Sequence, residues 1–127
     1  MAFKFSKRSL ENLQGVHPDL VMVTTHALSL SPIDFVVIDG LRTLDEQKIL
    51  VAKGKSRRLD SRHLTGHAID FAAWVNGGIS WDVAYYKRIT EAFSKAAQQL
   101  DVRIVRGIDW PHFVDAGHIE LDERDYP

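Results

Sequence analysis

A chain of 127 residues has room for one compact domain and little beyond it. With 45% hydrophobic and 26% charged residues it can build its own core, which excludes a disordered or fibrous chain. A net charge of −1 supplies no field to draw it to nucleic acid, and zero cysteines exclude disulfide frameworks, thiol nucleophiles and thiolate metal sites.

The positive charges of residues 1–8 are not followed by the apolar stretch of a secretory signal, and no run is long enough to cross a bilayer. A soluble cytoplasmic product without membrane insertion is therefore expected. Ser6 or Ser9 can cap a first short helix carrying Leu10 and Leu13 and ending near Gly15. Pro18 suits the first turn of a second helix, whose apolar stripe is Leu20, Val21, Val23, Ala27 and Leu28 and whose stop is Ser31-Pro32. Residues 34–39 are short, β-branched and bounded by turn formers, so they form a buried strand closed by Gly40.

Thr43 and Glu46 match a capping box opening a helix that runs through Leu50 to Gly54. The basic run at residues 53–58 is read first as a solvated loop and second as a contact for an anionic polymer. Residues 67–75 alternate as a strand, with His67, Ile69, Phe71, Ala73 and Val75 on one face and Ala68, Asp70, Ala72 and Trp74 on the other. Asn76-Gly77-Gly78 turns the chain. Asp82 caps a long helix in which Tyr86, Ile89, Phe93, Ala96 and Leu100 recur at helical spacing. Residues 102–105 and 117–122 are further short strands. Interleaved helices and closely spaced strands predict an α+β class: a small single domain over residues 1–127, an antiparallel sheet flanked by helices.

Two groups of residues carry candidate chemistry. His63 and Asp70 are seven apart, an odd spacing that would put them on opposite faces of a straight strand, but Thr65-Gly66 supplies a bend that lets them converge. On the last strand His118 and Glu120 share one face and Ile119 and Leu121 the other. A buried face bearing His and Glu is costly unless these groups are paired or hold a cation. Two His and one carboxylate, with a position left open, form a known catalytic zinc set. Hydrogen-bonded loop residues and surface charge are the competing reading. His17, His26, His67 and His112 are expected to be structural or exposed, and Trp74, Trp81 and Trp110 to be core or cleft wall rather than a sugar-binding platform.

Ser61-x-His63-x-x-Gly66-x-Ala68-x-Asp70, followed by Asp115-x-x-His118-x-Glu120, resembles the signature of the zinc D-alanyl-D-alanine carboxypeptidase and L-alanyl-D-glutamate endopeptidase family. Gly40-Leu41-Arg42-Thr43-x-x-Glu46-Gln47 resembles its arginine segment, and Gly107-x-Asp109-Trp110 the stretch before its last strand. The resemblance implies the hedgehog-like α+β fold, and zinc (one per chain) on His63, Asp70 and His118. It implies Asp115 as general base and then acid, and Arg42 as holder of a substrate oxygen or oxyanion. Ser61 would line the cleft, while Glu120 would orient a ligand or compete with Asp115.

A short member without a signal resembles phage endolysins, which implies hydrolysis of the peptidoglycan stem peptide at the L-alanyl-D-glutamate bond. A monomer is the expected state. It would wait in the host cytoplasm until a holin opens the membrane, then reach the periplasm and cell wall. A D-alanyl-D-alanine carboxypeptidase or dipeptidase, or a non-catalytic zinc-binding domain, remains open at this point.

Overall fold

In the computed structural model, which describes residues 3–56, 61–111 and 114–127, each polar signal of the sequence opens an element. Ser6 caps α1 (Lys7–Asn12), its side chain accepting the Ser9 N–H. α1 turns a polar face to the sheet: Ser9 is buried and accepts the Val37 N–H at 2.9 Å, and Asn12 donates to the Val37 carbonyl at 2.9 Å. Leu10, expected to help form its apolar face, is exposed. Both backbone groups of Val37 are thus satisfied by side chains, and the sheet edge is covered. α2 (Pro18–Leu30) has His17 as its cap and buries Leu20, Val23, Thr24, Ala27 and Leu28.

β1 (Phe35–Asp39) follows, then α3 (Leu44–Ala52), where both hydrogen bonds of the Thr43/Glu46 capping box are present. A 3₁₀ turn at Arg62–Thr65 ends at Gly66, which takes φ +74° and so leads into β2 (Ala68–Val75). A Cβ on Gly66 would also stand 2.5 Å from the Gly15 carbonyl oxygen, so both conformation and closeness require glycine. Asn76 (φ 54°) and Gly77 (φ 80°) form a tight hairpin to β3 (Gly78–Ser80), a strand absent from the sequence reading although Asn-Gly is its usual turn.

α4 (Val83–Leu100) is capped by Asp82 and buries Tyr86, Ile89, Phe93 and Ala96. At its end Asp101 turns left-handed (φ 56°), and the Val102 N–H bonds back to Ala97. Val102 is therefore spent on closing the helix, which is why β4 starts later than expected, at Ile104–Arg106. β5 (His118–Leu121) completes the set.

The sheet runs β1-β2-β5-β4, with β3 hydrogen-bonded to β2, and every pairing is antiparallel. One face carries Ile69, Phe71, Ala73, Ile119 and Leu121 into a core shared with α2 and α4. Phe71, Phe35 and Phe93 pack ring against ring at 5.3–5.4 Å between centroids. Each such buried ring contributes roughly 1.5–3 kcal/mol from area alone. The alternation read from residues 67–75 holds, so Asp70 lies on the opposite face. The antiparallel α+β architecture is as expected.

Candidate metal centre

Strand register brings the acidic and imidazole groups into one row. Asp39 on β1 is the partner of Asp70 on β2, and Asp70 is in turn the partner of His118 on β5. Adjacent residues on one sheet face stand about 5 Å apart, which is within reach of short polar side chains. His63 arrives from the 3₁₀ turn. Ser61 caps that turn by accepting the His63 N–H at 3.2 Å, and Arg42 donates its own N–H to the His63 carbonyl at 2.9 Å. One ligand atom from each of His63, Asp70 and His118 lies within 4.8 Å of the others, so the three could hold one metal ion.

The hydrogen bonds fix which atoms face inward. His63 Nδ1 lies 2.8 Å from the Gly40 carbonyl oxygen, which can only accept; Nδ1 therefore carries the proton, and Nε2 faces Asp70 at 3.4 Å. Gly40 must be glycine for this, because a Cβ there would stand 2.0 Å from the Asn12 carbonyl oxygen of α1. His118 points Nδ1 at Asp70 (3.0 Å) and Nε2 at Glu120 (2.9 Å). Burial disfavours the charged imidazole, but hydrogen bonds to the two carboxylates outweigh it and push its pKa up to about 9. For Asp70, burial acts upward, yet hydrogen bonds from His118 and His63 hold the carboxyl well below its usual range. Asp115 sits with Oδ2 4.0 Å from His118 Nδ1, half exposed to the depression. Burial raises its pKa, and the charge on Asp70 adds to the rise.

Arg42 also borders the depression. It is buried and donates to Asp39 from Nε (2.8 Å) and Nη2 (2.5 Å), to Gln47 from Nη1 (2.7 Å), and to Asp70 from Nη2 (3.2 Å). Four of its five N–H bonds are used within the protein, one of them on Asp70. Glu120 is likewise committed, receiving His118 on one oxygen with Arg62 3.7 Å from the other. Ser61 borders the depression as well as capping the turn.

Asp39, Arg62 and the Gly40 carbonyl were not read from the sequence as parts of the site. Nothing in their spacing marks them, since strand register and a loop approach bring them in. Trp110 is cleft wall as expected, its ring 4.9 Å from that of His118. Trp81, 68% exposed, walls a second depression that shares Asp70 and Asp115 with the first, whereas Trp74, 41% exposed, lines neither and departs from expectation. Of the other histidines, His17 caps α2 and stacks on His67, and His26 lies exposed against Gln99; His112 is outside the described residues.

The phage L-alanyl-D-glutamate peptidase family model matches residues 1–122. The L-alanyl-D-glutamate peptidase of Escherichia phage T5 is 38% identical, over 95% of this chain and 99% of that protein. A Listeria phage A118 protein of the same name is 27% identical over 99% of this chain, which spans 45% of that longer relative. Among solved structures, the Serratia marcescens L-Ala D-Glu endopeptidase ChiX superposes with a TM-score of 0.93 at 44% identity, covering 99% of this chain and 95% of that one. With its sequence matched nearly end to end and its fold reproduced, the chain belongs to the phage L-alanyl-D-glutamate peptidase family.

Proposed function

We propose that this protein is a zinc-dependent endolysin, one peptidase domain over residues 1–127, hydrolysing the L-alanyl-D-glutamate bond of the peptidoglycan stem peptide. The observation that carries the reading is the convergence of His63, Asp70 and His118 beside an accessible Asp115. The donor set fits zinc. Each imidazole offers one nitrogen inward while its other nitrogen is held outside, His63 by the Gly40 carbonyl and His118 by Glu120, as metal-binding histidines usually are. When bound, the ion supplies Lewis acidity and an activated water.

The protein's own groups do the rest. Asp115 accepts a proton from the attacking water and gives one to the departing D-glutamyl amine, a double duty suited to a carboxyl whose pKa is raised. Arg42 and Glu120 hold Asp70 and His118 in place. The protein would act as a monomer on the wall from the periplasm, after a holin admits it from the host cytoplasm.

The test is mass spectrometry of peptidoglycan digested with zinc-loaded protein. New N-terminal D-glutamate and C-terminal L-alanine are expected, lost on chelation and restored by zinc. Release of free D-alanine alone would replace this reading with a carboxypeptidase.

A further inference from the structure

Two depressions meet at the centre, and Asp70 and Asp115 are the only lining residues they share among the described residues. Any extended substrate lying over Asp115 must pass from one into the other, and their chemistries differ. The first is lined almost wholly by polar and charged side chains of both signs, with Asp70, Asp115 and Glu120 set against Arg42, Lys55 and Arg62. Its Arg62 donates through Nη2 to the carbonyls of Leu121 and Tyr126 and pairs with Glu120 at 3.7 Å, and its Arg42 donates to Asp39, Gln47 and Asp70. That leaves Lys55, exposed at its rim, as the lysine or arginine there without an ion-pair partner among the described residues.

The second depression is apolar, with Trp81, Val83 and Val114 at 68%, 50% and 61% exposure. Trp81 is the outer member of an aromatic column. It stacks on Tyr86 at 6.1 Å and 12°, and Tyr86 stacks on the buried Phe71 at 5.5 Å and 20°. The Tyr86 hydroxyl donates to the Ser80 carbonyl and accepts the Ala73 N–H, so the column is fixed to β2 and β3. The indole thus offers solvent a flat, rigid apolar face. Apolar C–H faces of sugar rings pack well on such surfaces.

The substrate proposed above is asymmetric in a matching way. On the acyl side of the scissile bond, L-alanine is joined to an N-acetylmuramyl sugar. On the amine side, D-glutamate continues the chain through one carboxyl and leaves the other free. We propose, resting on that functional reading, that the two depressions fix the direction of binding: the muramyl group lies on Trp81, and the free glutamyl carboxylate lies toward Lys55. Trp81 and Lys55 are then specificity-determining residues, one for each side of the cut bond.

The experiment compares kcat/KM for N-acetylmuramyl-L-alanyl-γ-D-glutamyl-L-lysine with that for the N-acetyl peptide lacking the sugar, and for each with the glutamyl carboxylate amidated. For wild type, the sugar and the free carboxylate are each expected to raise kcat/KM by about tenfold. Trp81→Ala brings the sugar ratio to about one and leaves the amidation ratio, while Trp81→Phe restores part of the sugar ratio. Lys55→Gln collapses the amidation ratio and leaves the sugar ratio. Trp74→Ala, which alters an exposed tryptophan elsewhere, changes neither. A sugar ratio intact in Trp81→Ala, or exchange of the two effects between Trp81 and Lys55, overturns the assigned direction. Wild-type protein that cleaves none of the peptides would instead overturn the functional reading beneath it.

Discussion

Replacing Arg42 by Ala tests whether this arginine serves the fold or the substrate. Its guanidinium makes four hydrogen bonds, two to Asp39 and one each to Gln47 and Asp70, and the residue is only 9% exposed. Truncation leaves the carboxylates of Asp39 and Asp70 as cross-strand neighbours without the cation between them, and removes the Arg42 bond to the Gln47 amide oxygen. Removing one partner of a buried ion pair costs about 3–5 kcal/mol, a large share of a total stability of roughly 5–15 kcal/mol. For a domain of this size the midpoint of thermal unfolding should fall by roughly 10–20 °C.

Urea unfolding with and without chelator separates the causes. In zinc-loaded protein the ion is a second cation beside Asp70, so the loss should be smaller than in chelated protein. Arg42→Lys keeps the charge but loses the planar fork, and should recover only part of the stability. An Arg42→Ala protein as stable as wild type in both conditions, with only turnover reduced, would refute the bracing role and return the arginine to the substrate.

Asp115→Ala should abolish hydrolysis while metal analysis still finds close to one zinc per chain; retained lysis would remove Asp115 from the proton transfers. Glu120→Ala takes away the acceptor for His118 Nε2 and should weaken zinc affinity by roughly 10–100-fold, as measured against a competing chelator. In chelated protein, His118 has a folded-state pKa of about 9, above the ordinary value near 6.5. Its stabilisation is complete below about pH 6.5 and is lost as pH rises through about 9. Zinc must displace that proton, so affinity should climb about tenfold per pH unit across this window with one proton released, and a flat profile would show that His118 is neutral without metal.

Much was legible in the sequence because its signals are local. Capping groups at Ser6, Thr43 and Asp82, the proline at the start of α2 and the period-two pattern of β2 act over a few residues, and each element formed where they place it. Even the bend at Gly66 could be read, since a left-handed turn needs a residue without a Cβ. The family motif indicated His63, Asp70, Asp115 and His118 together, although they span more than fifty residues.

Only the tertiary structure decided what surrounds them. The register of three strands lines up Asp39, Asp70 and His118, and no spacing within one segment encodes a register between segments. The close pass of α1 over Gly40 presents the carbonyl that sets the His63 tautomer. Arg42 reads from its motif as a holder of a substrate oxygen, and only the packed structure shows it buried with Asp39 and Asp70 as partners. Trp81 reads as either core or cleft wall, and packing decides between them by filling the interior with Phe71 and Tyr86 and leaving the indole outermost. Side-chain partners are settled by distances in space. The chain specifies those distances only once all its elements have packed.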